Sequence, residues 1–179
     1  MARNTRYCRP VTGSRGAVSA GHPLAASAAT ETLACGGNAV DAAIAAQAVL
    51  CVVMPQAAGI GGDMLALIHH HGQTSAIGGT GLSPALEPTA YTSDGGASVT
   101  TPGIVDGWIT ASATLGGLPL AVVLEPAIRL AEEGFPVDAE LVAAVEAQRA
   151  RISRYGADEW SLLQQVEGQR WAQPELAVL

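Results

Sequence analysis

Three consecutive histidines, His69, His70 and His71, form the densest run of potential metal ligands in the chain. If they lie on a strand, His69 and His71 share one face and could bind one ion together. No cysteine or carboxylate lies nearby in the sequence to complete a ligand set. The run is therefore more typical of a solvated turn at the end of a strand, and we predict neither a metal site nor a cofactor.

A glycine-rich stretch at residues 59–62, Gly-Ile-Gly-Gly, is followed directly by Asp63. Backbone amides of such a stretch bind phosphate when a strand precedes the glycines and a helix follows them. Here the order is reversed, because a predicted helix precedes and a predicted strand follows. We therefore expect these glycines to let the backbone pass close to a neighbouring helix.

The sequence lacks a complete set of residues for nucleophilic catalysis. A serine hydrolase needs a serine on a sharp strand-to-helix turn beside a histidine base, and no Gly-x-Ser-x-Gly segment is present. The isolated aspartates Asp41, Asp63 and Asp106 each have a simpler role at the start of a helix or strand. We assign no catalytic residue to the chain.

Four ordered segments carry a resemblance to a known family. They are Gly-Gly-Asn-Ala-Val-Asp-Ala-Ala at residues 36–43, Gly-Ile-Gly-Gly-Asp at 59–63, Thr-Pro-Gly-Ile-Val-Asp-Gly-Trp at 101–108, and the segment 118–137 with its Glu-Pro-Ala-Ile-Arg-Leu-Ala-Glu-Glu-Gly. In this order they resemble the large-subunit half of the γ-glutamyltransferase family of N-terminal nucleophile hydrolases. The resemblance extends from about residue 16 to residue 179.

The resemblance implies an amide-cleaving enzyme that is made as one precursor and cuts itself. The nucleophile is then the new N-terminal threonine of the smaller subunit, and its own α-amine is the base. Nothing in this sequence matches the start of that subunit. We therefore expect a large-subunit portion, inactive alone, that acts on a small amide or γ-glutamyl substrate through a threonyl acyl-enzyme.

The expected partner is the small subunit or C-terminal segment that carries the threonine. The chain would then be one fragment of a longer polypeptide. An alternative from another functional class is a catalytically silent truncated remnant, or an interaction subunit of the same family.

The resemblance also implies a substrate-binding loop at Gly79, Thr80 and Gly81. In transpeptidases of the family, an arginine in a short Asp-x-Arg-Glu segment holds the α-carboxylate of the substrate, and Thr80 takes its position here. The local sequence is closer to the Gly-Ser-Gly-Arg-Ala-Pro form of amidohydrolase-like members, such as those acting on oxamate, although Leu82 replaces that arginine. Efficient γ-glutamyl transfer is therefore not expected. Residues 78–81 could equally form a simple tight turn.

The elements that position these residues begin with a pair of helices. The first is predicted to start at Pro23, whose missing N–H costs nothing there, and to end at Gly36-Gly37. Asn38 is predicted to cap the second helix, and Asp41 to reach back to its start. Between residues 39 and 53 only Asp41 and Gln47 are polar, which predicts a helix buried nearly all round.

Short strands are predicted at residues 16–21, 63–68 and 74–77, and the first two are expected to be buried, the second on both faces. A long loop is predicted over residues 78–102. The sequence therefore predicts an α+β fold that is part of a four-layer αββα sandwich, helix-rich, with a sheet that is incomplete within this chain. Residues 16–179 would form this large-subunit portion.

Helices dominate the rest of the predicted fold. One is expected from about residue 103 to residue 115. Pro126 should kink or restart the next helix, and Asp138 should cap the one after it. Cys35 and Cys51, on the first helix pair, are predicted to be small buried hydrophobic residues.

The distribution of charge excludes some partners. The formal net charge is -7, which argues against nucleic acid. No apolar run reaches the length of a membrane span without interruption, so no membrane partner is expected. Residues 1–15 are polar and arginine-rich, which predicts a mobile arm, and no apolar core of a secretory signal follows them. This pattern favours a cytoplasmic location.

Overall fold

The computed structural model describes residues 12–83, 94 and 98–178, so most of the predicted arm at residues 1–15 lies outside the described residues. Within them the chain forms six helices and four strands: α1 (Pro23–Ala34), α2 (Ala39–Val53), β1 (Met64–His70), β2 (Gln73–Gly79), α3 (Ile104–Leu115), α4 (Leu120–Glu133), β3 (Phe135–Pro136), α5 (Ala139–Arg154), β4 (Arg170–Trp171) and α6 (Pro174–Ala177). A 3₁₀ turn, Ser161–Gln164, precedes β4. Among the described residues, no helix has both the length and the apolar character that crossing a membrane requires.

Helix α2 is the centre of the core. It packs against α1 and α4. Ala45, Val49 and Val53 on α2 are each at most 1% exposed, which confirms the predicted buried helix. Its many alanines have short side chains, so the neighbouring helices can lie close to its axis.

The start of α2 is tied to the connection between α3 and α4. Asn38 accepts the N–H of Val40 at 2.8 Å, and the Asp41 carboxylate accepts the Asn38 N–H at 2.8 Å, which confirms the predicted cap. Asp41 also accepts the Gly117 N–H at 3.0 Å, and the Asn38 side-chain amide donates to the Leu115 carbonyl at 2.7 Å. Asp41 is fully buried. We call this arrangement the Asn38–Asp41 clamp.

Strands β1 and β2 form an antiparallel hairpin in which Met64 pairs with Gly79 and His70 with Gln73. The two turn residues, His71 and Gly72, both have positive φ angles, of 48° and 77°, as a tight two-residue hairpin turn requires. Among the described strands, β1 pairs only with β2, so its other edge is unpaired.

The hairpin has one covered face and one bare face. On the inner face Met64 is 5% exposed, whereas Leu65 and Leu67 on the outer face are each 81% exposed. The prediction that this strand is buried on both faces is therefore wrong, because no described element covers the outer face.

The predicted strand at residues 16–21 is also absent from the structure. These residues form no regular element and most of them are exposed. Their small apolar composition resembles a buried strand, but a strand needs a neighbour to exchange hydrogen bonds with, and none of the described strands lies beside them in a sheet.

Helix α4 continues through Pro126 without a break, which corrects the predicted kink or restart. The proline lacks the N–H that would bind the carbonyl four residues earlier. Val123 and Ala127, on either side of Pro126, are 0% and 7% exposed. Packing of this stretch against the core holds the helix together despite the missing bond.

Strands β3 and β4 form a small sheet that joins the end of α4 to the C-terminal part of the chain, and the sequence did not indicate it. Phe135 pairs with Trp171, and their rings meet edge to face with centroids 5.8 Å apart. Strands of two residues are too short to show an alternating pattern. The predicted cap of α5 is confirmed, since the Asp138 carboxylate accepts the Leu141 N–H at 2.7 Å.

The cysteines of the helix pair have different environments. Cys51 is buried as predicted, but Cys35 is exposed because it follows the last residue of α1. Burial raises the pKa of the Cys51 thiol to about 11. At pH 8 its reactive thiolate form is therefore about 10⁻³ of the total.

We expect iodoacetamide at pH 8 to alkylate Cys35 readily and to leave Cys51 unmodified, as followed by peptide mass mapping. Raising the pH toward 11 should increase the modification of Cys51, because more of its thiol is ionised. Both residues should react fully in urea. Equal rates of alkylation at pH 8 in the folded chain would show that α2 is not packed as described.

Candidate functional site

The predicted substrate-binding residues lie where β2 ends. We call residues 79–82 the β2 exit loop. Gly79 closes the strand and is buried, whereas Thr80 and Leu82 are exposed. The loop therefore exposes the side chain of Thr80 to solvent, next to a buried residue, Gly79.

Backbone segments approach each other so closely beneath this loop that only glycine fits. A Cβ atom on Gly103 would lie 2.3 Å from the Gly79 carbonyl oxygen, and one on Gly81 would lie 1.5 Å from the Thr101 carbonyl oxygen. Contacts under about 3.0 Å are not seen for real Cβ atoms. We call this close approach of Gly79, Gly81 and Gly103 the glycine crossing.

The glycine-rich stretch at residues 59–62 supports the same region. The Gly62 carbonyl accepts the N–H groups of Gly103 and Ile104, both at 3.0 Å, at the start of α3. The stretch therefore contacts the start of a helix, but not through the expected role of its glycines. A Cβ atom on Gly59 or Gly61 would meet nothing within 4 Å, and one on Gly62 would meet only the Gly59 carbonyl oxygen, at 3.2 Å.

Asp63 brings a charged group into contact with the β2 exit loop. Its carboxylate accepts the Gly81 N–H at 3.4 Å, and the Asp63 side chain is exposed. Sequence reasoning named Gly79, Thr80 and Gly81 as substrate-binding residues, which stays a prediction, and it missed Asp63 and Gly103 beside them. The available signal was the position of Asp63 directly after the glycines of residues 59–62.

The three histidines lie at the opposite end of the hairpin, roughly 20 Å from the β2 exit loop for a seven-residue strand. His69 Nδ1 is 3.0 Å from the Thr74 hydroxyl, and His71 lies in the turn. In the part of the chain that the structure describes, no three His, Cys, Asp or Glu side chains are grouped as metal ligands would be.

A groove of about 670 Å³ runs between β1 and residues 19–21, with α2 at its base. Its lining is mainly apolar, with Ile44 and Leu50 from α2 and Met64 from β1. The groove lies along the hairpin whose end forms the β2 exit loop. It is therefore part of the surface that any neighbouring segment at this site would meet.

Comparison with known proteins defines the class of protein. The family model described as gamma-glutamyltranspeptidase matches residues 25–178. The crystal structure of Helicobacter pylori gamma-glutamyltranspeptidase superposes with a TM-score of 0.84 and 28% sequence identity, covering 94% of this chain and 54% of that chain. The predicted fold class is confirmed: an α+β portion of an αββα N-terminal nucleophile hydrolase, with a sheet that is incomplete within the described residues.

The chain belongs to the gamma-glutamyltranspeptidase family, as a portion of its large subunit. It is 38% identical over 165 residues to the acylase ACY 1 proenzyme of Pseudomonas sp. (strain V22), a match that covers 82% of this chain and 30% of the relative. It is 35% identical over 184 residues to the glutathione hydrolase-like YwrD proenzyme of Bacillus subtilis (strain 168), covering 94% and 35%. The chain thus spans about a third of the length of these curated relatives.

Proposed function

We propose that this chain is the large-subunit portion of an amidohydrolase that cleaves a small amide through a threonyl acyl-enzyme. The nucleophile threonine belongs to a small subunit or C-terminal segment outside these residues. Membership of the family supports the reaction class, and the word proenzyme in the names of the relatives supports a precursor that is processed. We further propose that the assembly acts in the cytoplasm.

The bare face of the β1–β2 hairpin is the observation that carries this proposal. Leu65 and Leu67 are each 81% exposed there, and the outer edge of β1 is unpaired among the described strands. In a sandwich with two sheets, a second sheet packs about 10 Å away and covers such a face. Burying each leucine would contribute about 1.5–3 kcal/mol to the association.

The partner segment would also lie next to the β2 exit loop, which is the end of the same hairpin. A nucleophile carried on that segment could then face Thr80 and Gly81 across the site. The absence of a complete catalytic set within the described residues is consistent with a nucleophile supplied in this way.

We expect the isolated chain to hydrolyse no acyl anilide, and addition of the segment with the threonine to restore activity. Replacing both leucines, Leu65→Ser with Leu67→Ser, should weaken association with that segment at least about a hundredfold, because roughly 3–6 kcal/mol of burial is lost. Association is measured by titration calorimetry, and activity by release of the anilide.

Val166→Ser is the matched control, since Val166 is 56% exposed but belongs to the segment between the 3₁₀ turn and β4 and not to the hairpin. This variant should bind the segment like the wild type. Turnover by the isolated chain would contradict the proposal. So would an affinity for the segment that is unchanged when both leucines are replaced. Tight association without any turnover would instead favour the alternative, a catalytically silent remnant or interaction subunit.

A further inference from the structure

We propose that Asp63 makes this site select acyl groups that carry an amine and lack a carboxylate. The inference rests on the proposed function, because it requires the β2 exit loop to contact the acyl group of the substrate. It extends that function by giving the charge of the acyl group, which follows from the groups that surround the loop.

The first observation is the charge at the loop. The Asp63 carboxylate is exposed and uses one oxygen to accept the Gly81 N–H at 3.4 Å. A carboxylate offers about four acceptor positions, so Asp63 retains acceptor capacity for an ammonium group of a ligand. A ligand carboxylate at the same place would meet a like charge.

The second observation is that three backbone N–H groups around the loop already have protein partners. The Gly81 N–H binds Asp63, and the first N–H groups of α3, on Gly103 and Ile104, both bind the Gly62 carbonyl. A helix start attracts anions through free amides, and these three amides are not free. Asp106, in the first turn of α3, adds a further negative charge there.

The third observation is the scarcity of cationic residues in the sequence on either side of the loop. The sequence contains no lysine, and no arginine occurs between Arg15 and Arg129. Four arginines of the later part of the chain have recorded partners: Arg129 pairs with Glu125 on α4 and Glu31 on α1, Arg149 with Glu146 on α5, Arg151 with Asp94 between β2 and α3, and Arg170 with the carbonyls of Glu133 and Gly134. None of these recorded partners belongs to the β2 exit loop or the glycine crossing.

Four p-nitroanilides separate the two charges in the complete assembly. Butanoyl carries neither group, 4-aminobutanoyl carries the amine, glutaryl carries the carboxylate, and γ-glutamyl carries both. We expect kcat/KM to be highest for 4-aminobutanoyl, about tenfold above butanoyl, as one charge-assisted contact implies. Glutaryl should be cleaved more slowly than butanoyl, and γ-glutamyl more slowly than 4-aminobutanoyl.

Asp63→Asn should lower the ratio of kcat/KM for 4-aminobutanoyl over butanoyl about tenfold, because the amide keeps an acceptor but loses the charge. Asp158→Asn removes another exposed carboxylate, after α5, and should leave this ratio within about twofold. Thr80→Arg places a cation on the same loop and should reverse the penalty for glutaryl.

Binding of the corresponding amides to the same assembly provides a readout that does not need turnover. Butanamide, 4-aminobutanamide, glutaramate and glutamine are titrated by ligand-detected NMR, and 4-aminobutanamide should bind most tightly in a manner lost in Asp63→Asn. If none of the anilides is cleaved, the proposed function fails, while the titration still decides the charge preference. Preference for glutaryl or γ-glutamyl, or an amine preference that survives Asp63→Asn, would overturn the inference.

Discussion

Replacing Asp41 by leucine should destabilise the folded chain by about 3 kcal/mol. The effect of a helix cap alone is about 1 kcal/mol. Asp41 does more than cap α2, because its buried carboxylate also accepts the Gly117 N–H and so fixes the connection between α3 and α4. Leucine leaves the N–H groups of Asn38 and Gly117 without this acceptor, and hydrogen bonds to a charged group each contribute about 1.5–3 kcal/mol.

Urea unfolding followed by circular dichroism measures this loss, and the melting temperature should fall by roughly 6–12 °C. Asp106→Asn is the matched control, because Asp106 also lies in the first turn of a helix but is exposed. Its removal should cost less than about 1 kcal/mol, the usual size of a helix-dipole contribution. If both variants lose the same stability, the tie to Gly117 contributes nothing.

The second large effect is expected for Gly103→Ala at the glycine crossing. The backbone φ of Gly103 is -122°, which any residue adopts, so the cost is steric rather than conformational. The new Cβ would lie 2.3 Å from the Gly79 carbonyl oxygen, and backbone atoms cannot rotate away as a side chain can. We expect a loss of about 3 kcal/mol, in the upper range for overpacking, and displacement of the β2 exit loop.

Gly78→Ala tests the steric origin of this loss. Gly78 precedes the crossing by one residue, and a Cβ there would meet nothing within 4 Å. Alanine at such a position restricts the unfolded chain, so stability should stay the same or rise by up to about 1 kcal/mol. Denaturation of the two variants side by side gives the comparison. A similar loss in both would mean that the crossing is not as close as described.

The helices of this fold could be predicted from sequence because their signals are local. Pro23 begins α1, and Asn38 and Asp138 cap the starts of α2 and α5, each at the predicted position. A cap acts through amides two or three residues away, so a short stretch of sequence contains both partners. Where the outcome depended on distant partners, prediction failed: residues 16–21 lack a neighbouring strand, and Pro126 is held by the packing around it.

The candidate site shows the same division. The end of β2 and the loop at Gly79, Thr80 and Gly81 followed from local composition and the family resemblance. The contacts that shape this loop join it to Asp63 and Gly103, which are 18 and 22 residues away from Gly81 in the sequence. Glycine has no side chain to form a pattern, so a close approach of two glycine-containing segments leaves no periodic signal. The substrate-binding role of Gly79, Thr80 and Gly81 stays a prediction.

The Asn38–Asp41 clamp has a consequence for synthesis on the ribosome. Asp41 and Gly117 are 76 residues apart, so the carboxylate is made well before the amide that it will bind. At 5–20 residues per second, the interval is roughly 4–15 s. During that time α1 and α2 can already pair, but the start of α2 keeps a hydrated charge that must later be buried. The α1–α2 pair therefore stays incompletely folded, with its apolar surface accessible to chaperones, until the turn between α3 and α4 has emerged.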